Sequence, residues 1–205
     1  MTPSTQGYAQ EAEKLIGYYE GIPFADKHRA VLHLLPAQPA RVLDIGAGTG
    51  ADAAWFAANG HRVVAVEPTR ELRLPGMALH PSPAIEWLDD SLPGLAATLA
   101  RNQEFGVIMM TAVWMHLDEQ ERDIAMPNVA GLLARGGILA MTLRHGPRPP
   151  GRRMFEVSAE ETISLAERHG LRAVLSTRAE SVQTINRQAG VTWSCVALTK
   201  DADPA

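Results

Sequence analysis

Apolar positions recur along this chain in two rhythms, and their alternation predicts its architecture. Short continuous apolar runs at Val42–Ile45, Arg62–Val66, Ala84–Leu88, Phe105–Thr111 and Ile138–Leu143 are bounded by glycine, proline or acidic residues, as buried strands are. Between and before them, Tyr8–Tyr19, Phe24–Leu35, Ala53–Ala58, Asp118–Leu133 and Ser158–His169 carry one apolar face at helical spacing. Arg70–Leu79 is a short helix or an irregular connection broken at Pro75-Gly76. The helix that begins at Asp118-Glu119-Gln120-Glu121 has the acidic first turn that suits the helix dipole, and Arg135-Gly136-Gly137 closes it. Ser158 with Glu161 three residues later makes a capping box, and Gly170 ends that helix. Leu171–Thr177 and Val191–Thr199 supply two last strands across a polar connection. Strands alternating with helices predict an α/β, doubly wound, mostly parallel sheet with right-handed crossovers.

Composition narrows this picture without changing it. The chain has 205 residues, enough for one α/β domain, with 46% hydrophobic and 20% charged residues. A net charge of −4 gives no bulk electrostatic case for nucleic acid, which is not an expected partner. The single cysteine, Cys195, excludes an internal disulfide and a cysteine-built zinc site, and no other metal cluster is evident. No apolar run has the length of a membrane span, and Met1–Gln10 lacks the pattern of a signal peptide, so a cytoplasmic location away from membranes is expected. The tail after Lys200 is expected to fray.

The chemistry concentrates between Arg41 and Pro68, which reads as strand, glycine turn, helix and strand, with Asp44 and Glu67 at the strand ends. Glycines at Gly46, Gly48 and Gly50 allow a tight turn and close approach of a ligand. With Ala51 in the last glycine's place the loop also satisfies the loose dinucleotide fingerprint. Asp44 opposes that choice, because a carboxylate beside an anionic pyrophosphate is repulsive. A cofactor bearing an ammonium and a sulfonium would welcome it, while Glu67 can accept both ribose hydroxyls.

Asp44-Ile45-Gly46-Ala47-Gly48-Thr49-Gly50, followed by Glu67, resembles the cofactor motif of the class I S-adenosylmethionine-dependent methyltransferases, and the similarity extends through most of the chain. The resemblance implies a seven-stranded, mostly parallel Rossmann-like sheet with an antiparallel C-terminal strand. It implies one domain over residues 1–205, with 1–36 as a helical lid on a core of 37–200. S-adenosyl-L-methionine is the implied cofactor, giving S-adenosyl-L-homocysteine as product. Cofactor contacts carry over to Asp44, Gly46, Ala47, Gly48, Thr49, Gly50, Glu67 and Pro68, and to Thr111 and Ala112 where the fourth strand leaves the sheet. A polar residue after the third strand accepts from the adenine amino group; Asp89, Asp90 and Ser91 occupy that stretch, and either aspartate could serve while the other caps a helix.

The acceptor side is less determined. Tyr8, Tyr18, Tyr19, Phe24 and His28 are lid candidates, with Tyr18 chosen for substrate contact; Trp114 and His116 follow the methyl-facing strand. His116 and His145 are the candidate bases, although His116 in His-Leu-Asp could merely orient a turn. The loop Arg144–Arg153 is rich in proline and glycine and carries four arginines; Arg144 and Arg148 are the candidate clamps for an anionic acceptor. The expected function is methyl transfer to an oxygen, nitrogen or sulfur nucleophile of a small molecule. A methyltransferase of RNA or protein and a non-catalytic cofactor-binding partner are the alternatives. Oligomeric state stays open. No Tyr is followed four residues later by Lys as short-chain oxidoreductases require.

Overall fold

The structure, a computed structural model, describes residues 3–201. Its sheet is built from β1 (Arg41–Ile45), β2 (Arg62–Val66), β3 (Ile85–Leu88), β4 (Phe105–Thr111), β5 (Leu133–His145), β6 (Leu171–Glu180) and β7 (Thr192–Lys200). The strand order is β3-β2-β1-β4-β5-β7-β6. β1 to β5 pair in parallel, and β7 runs antiparallel to both β5 and β6.

Two cores explain why the strands read as unbroken apolar runs. Val42, Val63, Ala65, Val107 and Met109 point to one face, where Phe24, Ala53 and Phe56 cover them. Leu43, Ile45, Val64, Val66, Ile108 and Met110 point to the other, packed under Met126, Val129 and Leu165. The covering helices are α3 (Ala51–Ala58) on the first face and α6 (Glu119–Leu132) with α7 (Ala159–Glu167) on the second. Ahead of β1 stand α1 (Tyr8–Glu20) and the one-turn α2 (Phe24–Lys27). After β2, α4 (Arg70–Leu79) packs beside α1; α5 (Ala96–Leu99) leads into β4, and α8 (Thr184–Gln188) straps β6 to β7.

Several boundaries differ from expectation, each for a local reason. The helix expected over Phe24–Leu35 stops at Lys27, because Phe24 stacks on Trp55 at 3.9 Å and His28 turns inward to bond Asp52. Leu35, ahead of Pro36, is extended. α4 runs unbroken through Pro75. α6 ends at Leu132, and Ala134–Gly137 form an irregularity within β5, where the register shifts between Phe105 and Val107. The capping box lies at Asp118, which accepts from Glu121 N at 2.9 Å while Glu121 accepts from Asp118 N at 2.9 Å. At Ser158 only one arm forms; Glu161 instead takes the Arg122 guanidinium at 2.8 Å. The tail expected to fray lies outside the described residues beyond Asp201.

Gly76 on α4 touches the glycine loop: a Cβ there would lie 2.5 Å from the Thr49 carbonyl oxygen and 2.8 Å from Trp87. Gly76→Ala is therefore expected to destabilise the protein by about 1–3 kcal/mol through overpacking, seen as a lower urea midpoint at unchanged slope.

Candidate functional site

The carboxyl ends of the parallel strands open onto one cavity of about 840 Å³. Its floor is the turn after β1, where Gly46 (φ 73°) and Gly48 (φ 59°) take left-handed backbone that a side chain would strain. Gly46 N and Ala47 N donate to Val66 O at 2.8 and 3.0 Å, holding the turn against β2. Gly48 N then donates to Glu67 Oε2 at 2.8 Å, and Thr69 N donates to Oε1 at 2.7 Å. Glu67 is thus braced by backbone, and each oxygen keeps a lone pair for a hydroxyl in the cavity it lines.

Beneath this turn sits a pair of buried acids. Asp52, at the start of α3, is answered by Lys27 Nζ at 2.7 Å, His28 Nε2 at 2.8 Å and Thr111 Oγ1 at 3.1 Å. The His28 and Lys27 partners hold its carboxyl below the ordinary range despite burial. Asp44 is left without such an answer: it is 2% exposed and its Oδ2 has no hydrogen-bond partner among the described residues. Burial, with Asp52 adding to it, pushes the Asp44 carboxyl well above its usual value. An orphaned, buried carboxylate oxygen on a cavity wall is what a cationic ammonium would complete, so the donor and acceptor set fits the expected cofactor.

The expected residues divide cleanly. Asp44, Gly46, Ala47, Gly48, Thr49, Glu67 and Pro68 line the cavity, as do Asp90, Ser91, Thr111, Ala112 and His116. Gly50 does not; it serves packing, since a Cβ there would stand 2.6 Å from Trp87. Asp89 faces outward in an ion pair with Arg73 at 2.6 Å. Asp90 lines the cavity, and its Oδ2 accepts from Thr98 N and Oγ1, both at 2.8 Å.

On the acceptor side four expectations are corrected. Trp114 is fully buried in the core and offers nothing to a ligand. Tyr18 points to solvent at 40% exposure, and its neighbours on the inner face of α1, Tyr8 and Tyr19, line the cavity instead. His145 bonds Ser194 Oγ at 2.8 Å, away from the cavity wall. The arginine loop is spent internally: Arg144 donates to Pro147 O at 2.7 Å, Arg152 pairs with Glu11, and Arg153 pairs with Asp118 at 2.7 Å and Glu121 at 2.6 Å. Arg148 is exposed and off the wall.

His116 keeps its place, with a partner that sequence did not supply. Its Nδ1 lies 2.6 Å from Arg153 O, which can only accept, so the ring proton sits on Nδ1. Nε2 then accepts from Tyr8 Oη at 2.8 Å. Burial lowers the imidazole's affinity for a second proton, and the Arg152, Arg144 and Arg153 charges add to that. The Arg152 guanidinium stacks 3.8 Å over the Tyr8 ring. In the sequence Tyr8 is one lid candidate among several, and Asp52 has no mark beyond a helix start.

The family model described as a methyltransferase domain matches residues 19–177. An uncharacterized methyltransferase of Mycobacterium tuberculosis is 29% identical over 148 residues, which is 69% of this chain and 55% of that relative. The chain thus spans about half the length of the curated relatives it matches. Among solved structures, the N-methyltransferase NodS of Bradyrhizobium japonicum in complex with S-adenosyl-L-homocysteine superposes with a TM-score of 0.69 at 16% identity, covering 97% of this chain and 99% of that one. The Burkholderia thailandensis 1,6-didemethyltoxoflavin-N1-methyltransferase, with 1,6-didemethyltoxoflavin and S-adenosylhomocysteine bound, gives 0.67 at 20%, covering 98% and 91%. The chain belongs to the methyltransferase domain family and has the Rossmann-like fold of the S-adenosylmethionine-dependent methyltransferases on which it superposes.

If Asp44 meets the cofactor's ammonium, binding requires its charged form. Because the free carboxyl holds its proton at unusually high pH, affinity for S-adenosylhomocysteine is expected to fall as pH drops through that raised value. Asp44→Asn should flatten this dependence and weaken binding by about 10- to 100-fold, measured by calorimetry as a function of pH.

Proposed function

We propose, taking membership of the methyltransferase domain family as the premise, that the protein transfers a methyl group to a small-molecule acceptor. The observation that carries this is the cavity itself: α1 and the Asp26–Ala30 segment wall it on one side and the strap around α8 on another. A cavity walled on both sides suits a small molecule; of the expected anion clamp, Arg144 is held by Pro147 O and Arg148 lies off the cavity wall.

Asp44 would hold the ammonium end of the cofactor, the backbone of Gly46–Thr49 would lie against it, and Glu67 would accept from its ribose. Asp90, Ser91 and Leu92, which line the cavity, would bound the adenine end, and Thr111 and Ala112 would bound the reacting end. S-adenosylmethionine supplies, when bound, an electrophilic methyl on sulfur, and the bond's electron pair stays with sulfur as the product thioether forms. The residues here position the acceptor and exclude water. Where the acceptor carries a proton, Tyr8 Oη takes it as its own hydroxyl proton passes to His116 Nε2, leaving an imidazolium held through Nδ1 by Arg153 O. The neutral resting state of His116 keeps Nε2 free to accept at neutral pH.

Calorimetry should show binding of both S-adenosylmethionine and S-adenosylhomocysteine; absence of both would remove the reading. On an acceptor found by screening for S-adenosylhomocysteine release, His116→Ala is expected to lower kcat by about 10²- to 10⁴-fold with cofactor affinity unchanged. Wild-type kcat should fall as pH drops through the depressed His116 value and the imidazole charges. Unchanged turnover would take His116 out of the mechanism.

A further inference from the structure

Away from the cavity, the turn between α3 and β2 carries a reaction of its own. Of the four asparagines, Asn59, Asn102, Asn128 and Asn186, Asn59 is the one followed by glycine. A glycine nitrogen has no side chain beside it to hinder its attack on the preceding carboxamide. Asn59 caps the C-terminus of α3, and both it and Gly60 are exposed.

The fold restrains this pair without burying it. Asn59 Nδ2 donates to Trp55 O at 2.8 Å, Gly60 N to Ala57 O at 3.1 Å and His61 N to Phe56 O at 3.1 Å. Ring closure requires the Gly60 nitrogen on the Cβ side of the Asn59 Cα–C bond, and a ψ of 17° turns it to the far side. Gly60 itself, at φ 85°, has room around it: a Cβ built there would meet nothing within 4 Å among the described residues. The turn thus lies in solvent, and fraying at the end of α3 brings the reacting atoms within reach.

We infer that Asn59-Gly60 is a deamidation site gated by the opening of this turn. In the opened turn the Gly60 nitrogen gives its proton to solvent base and bonds to Asn59 Cγ. The Cγ–Nδ2 bond breaks, and ammonia leaves with a proton from solvent. Water then opens the five-membered succinimide, at Cγ to give aspartate or at the main-chain carbonyl carbon to give isoaspartate. Water is the one co-reactant.

Either product alters the join between α3 and β2. A carboxylate at position 59 cannot donate to Trp55 O, and it stands at the negative end of the helix dipole. Isoaspartate also adds one carbon to the main chain just ahead of Arg62, whose N–H donates to Ala40 O at 3.0 Å where β2 meets β1. The same pairing ends at Val66, whose carbonyl holds the glycine turn.

Peptide mapping by mass spectrometry tests this on the full chain, kept in mildly alkaline buffer either folded or in urea. Asn59 is expected to gain about 1 Da ahead of Asn102, Asn128 and Asn186 in both samples, with isoaspartate in excess of aspartate. In the folded protein it should do so about 10- to 100-fold more slowly, because the turn's hydrogen bonds must first open. Asn59→Asp should lower the urea midpoint at unchanged slope, and the aged isoaspartate form should lower it further. Equal rates in the two samples would overturn the gating, and unchanged midpoints would overturn the effect on the join. Faster reaction at another asparagine, or no conversion of Asn59 in the folded protein after about a hundred half-lives of the reaction in urea, would overturn the site.

Discussion

A carboxylate with an unmet oxygen, buried under a glycine turn, is the constraint on which the site depends. Two acids, Asp44 and Asp52, lie together out of water, where repulsion and desolvation both oppose charge. The chain resolves half of the conflict: Lys27 and His28, from the segment before β1, neutralise Asp52 and leave Asp44 exposed to the cavity. Pairing both acids internally would have been more stable and useless for a cationic ligand. The unpaired oxygen is a local cost retained at the place where a ligand can remove it.

The arginines show the opposite economy. In sequence the Arg144–Arg153 loop looks like a display of cations, yet Arg152 and Arg153 serve as braces. Arg152 joins Glu11 on α1 and covers the Tyr8 ring, while Arg153 gathers Asp118, Glu121 and the His116 carbonyl. These contacts are partly exposed and individually modest. Their effect is geometric: they fix the N-terminal helix against the turn that follows β4.

What sequence could and could not supply follows from range. The strands were legible because two-sided burial demands unbroken apolar runs, and the turn after β1 because glycine and acid spacing is a local code. Boundaries failed where tertiary contact overrode pattern: the helix that starts at Phe24 ends where His28 turns to Asp52, and Pro75 stayed inside one. Trp114 misled because position after β4 says nothing about whether a ring turns inward. Tyr18 and Tyr8 share one helix, and only packing decides which reaches the cavity. Asp89 and Asp90 follow the end of β3, outside its alternation, so which of them turns outward to Arg73 and which inward to Thr98 could not be read.

Tyr8 and His116 are 108 residues apart, and their bond joins the N-terminal segment to the core. The tautomer argument makes this bond directional: Arg153 O takes the Nδ1 proton, so Nε2 can engage Tyr8 only as an acceptor. If α1 moved away, Nε2 would lose its donor, Arg152 its partner Glu11, and the cavity one wall. Lys27 and His28 belong to the same segment, so Asp52 would lose its neutralising partners together with the relay. The Tyr8–His116 bond on one side and the charge balance of Asp52 on the other therefore both reach back to the segment before β1.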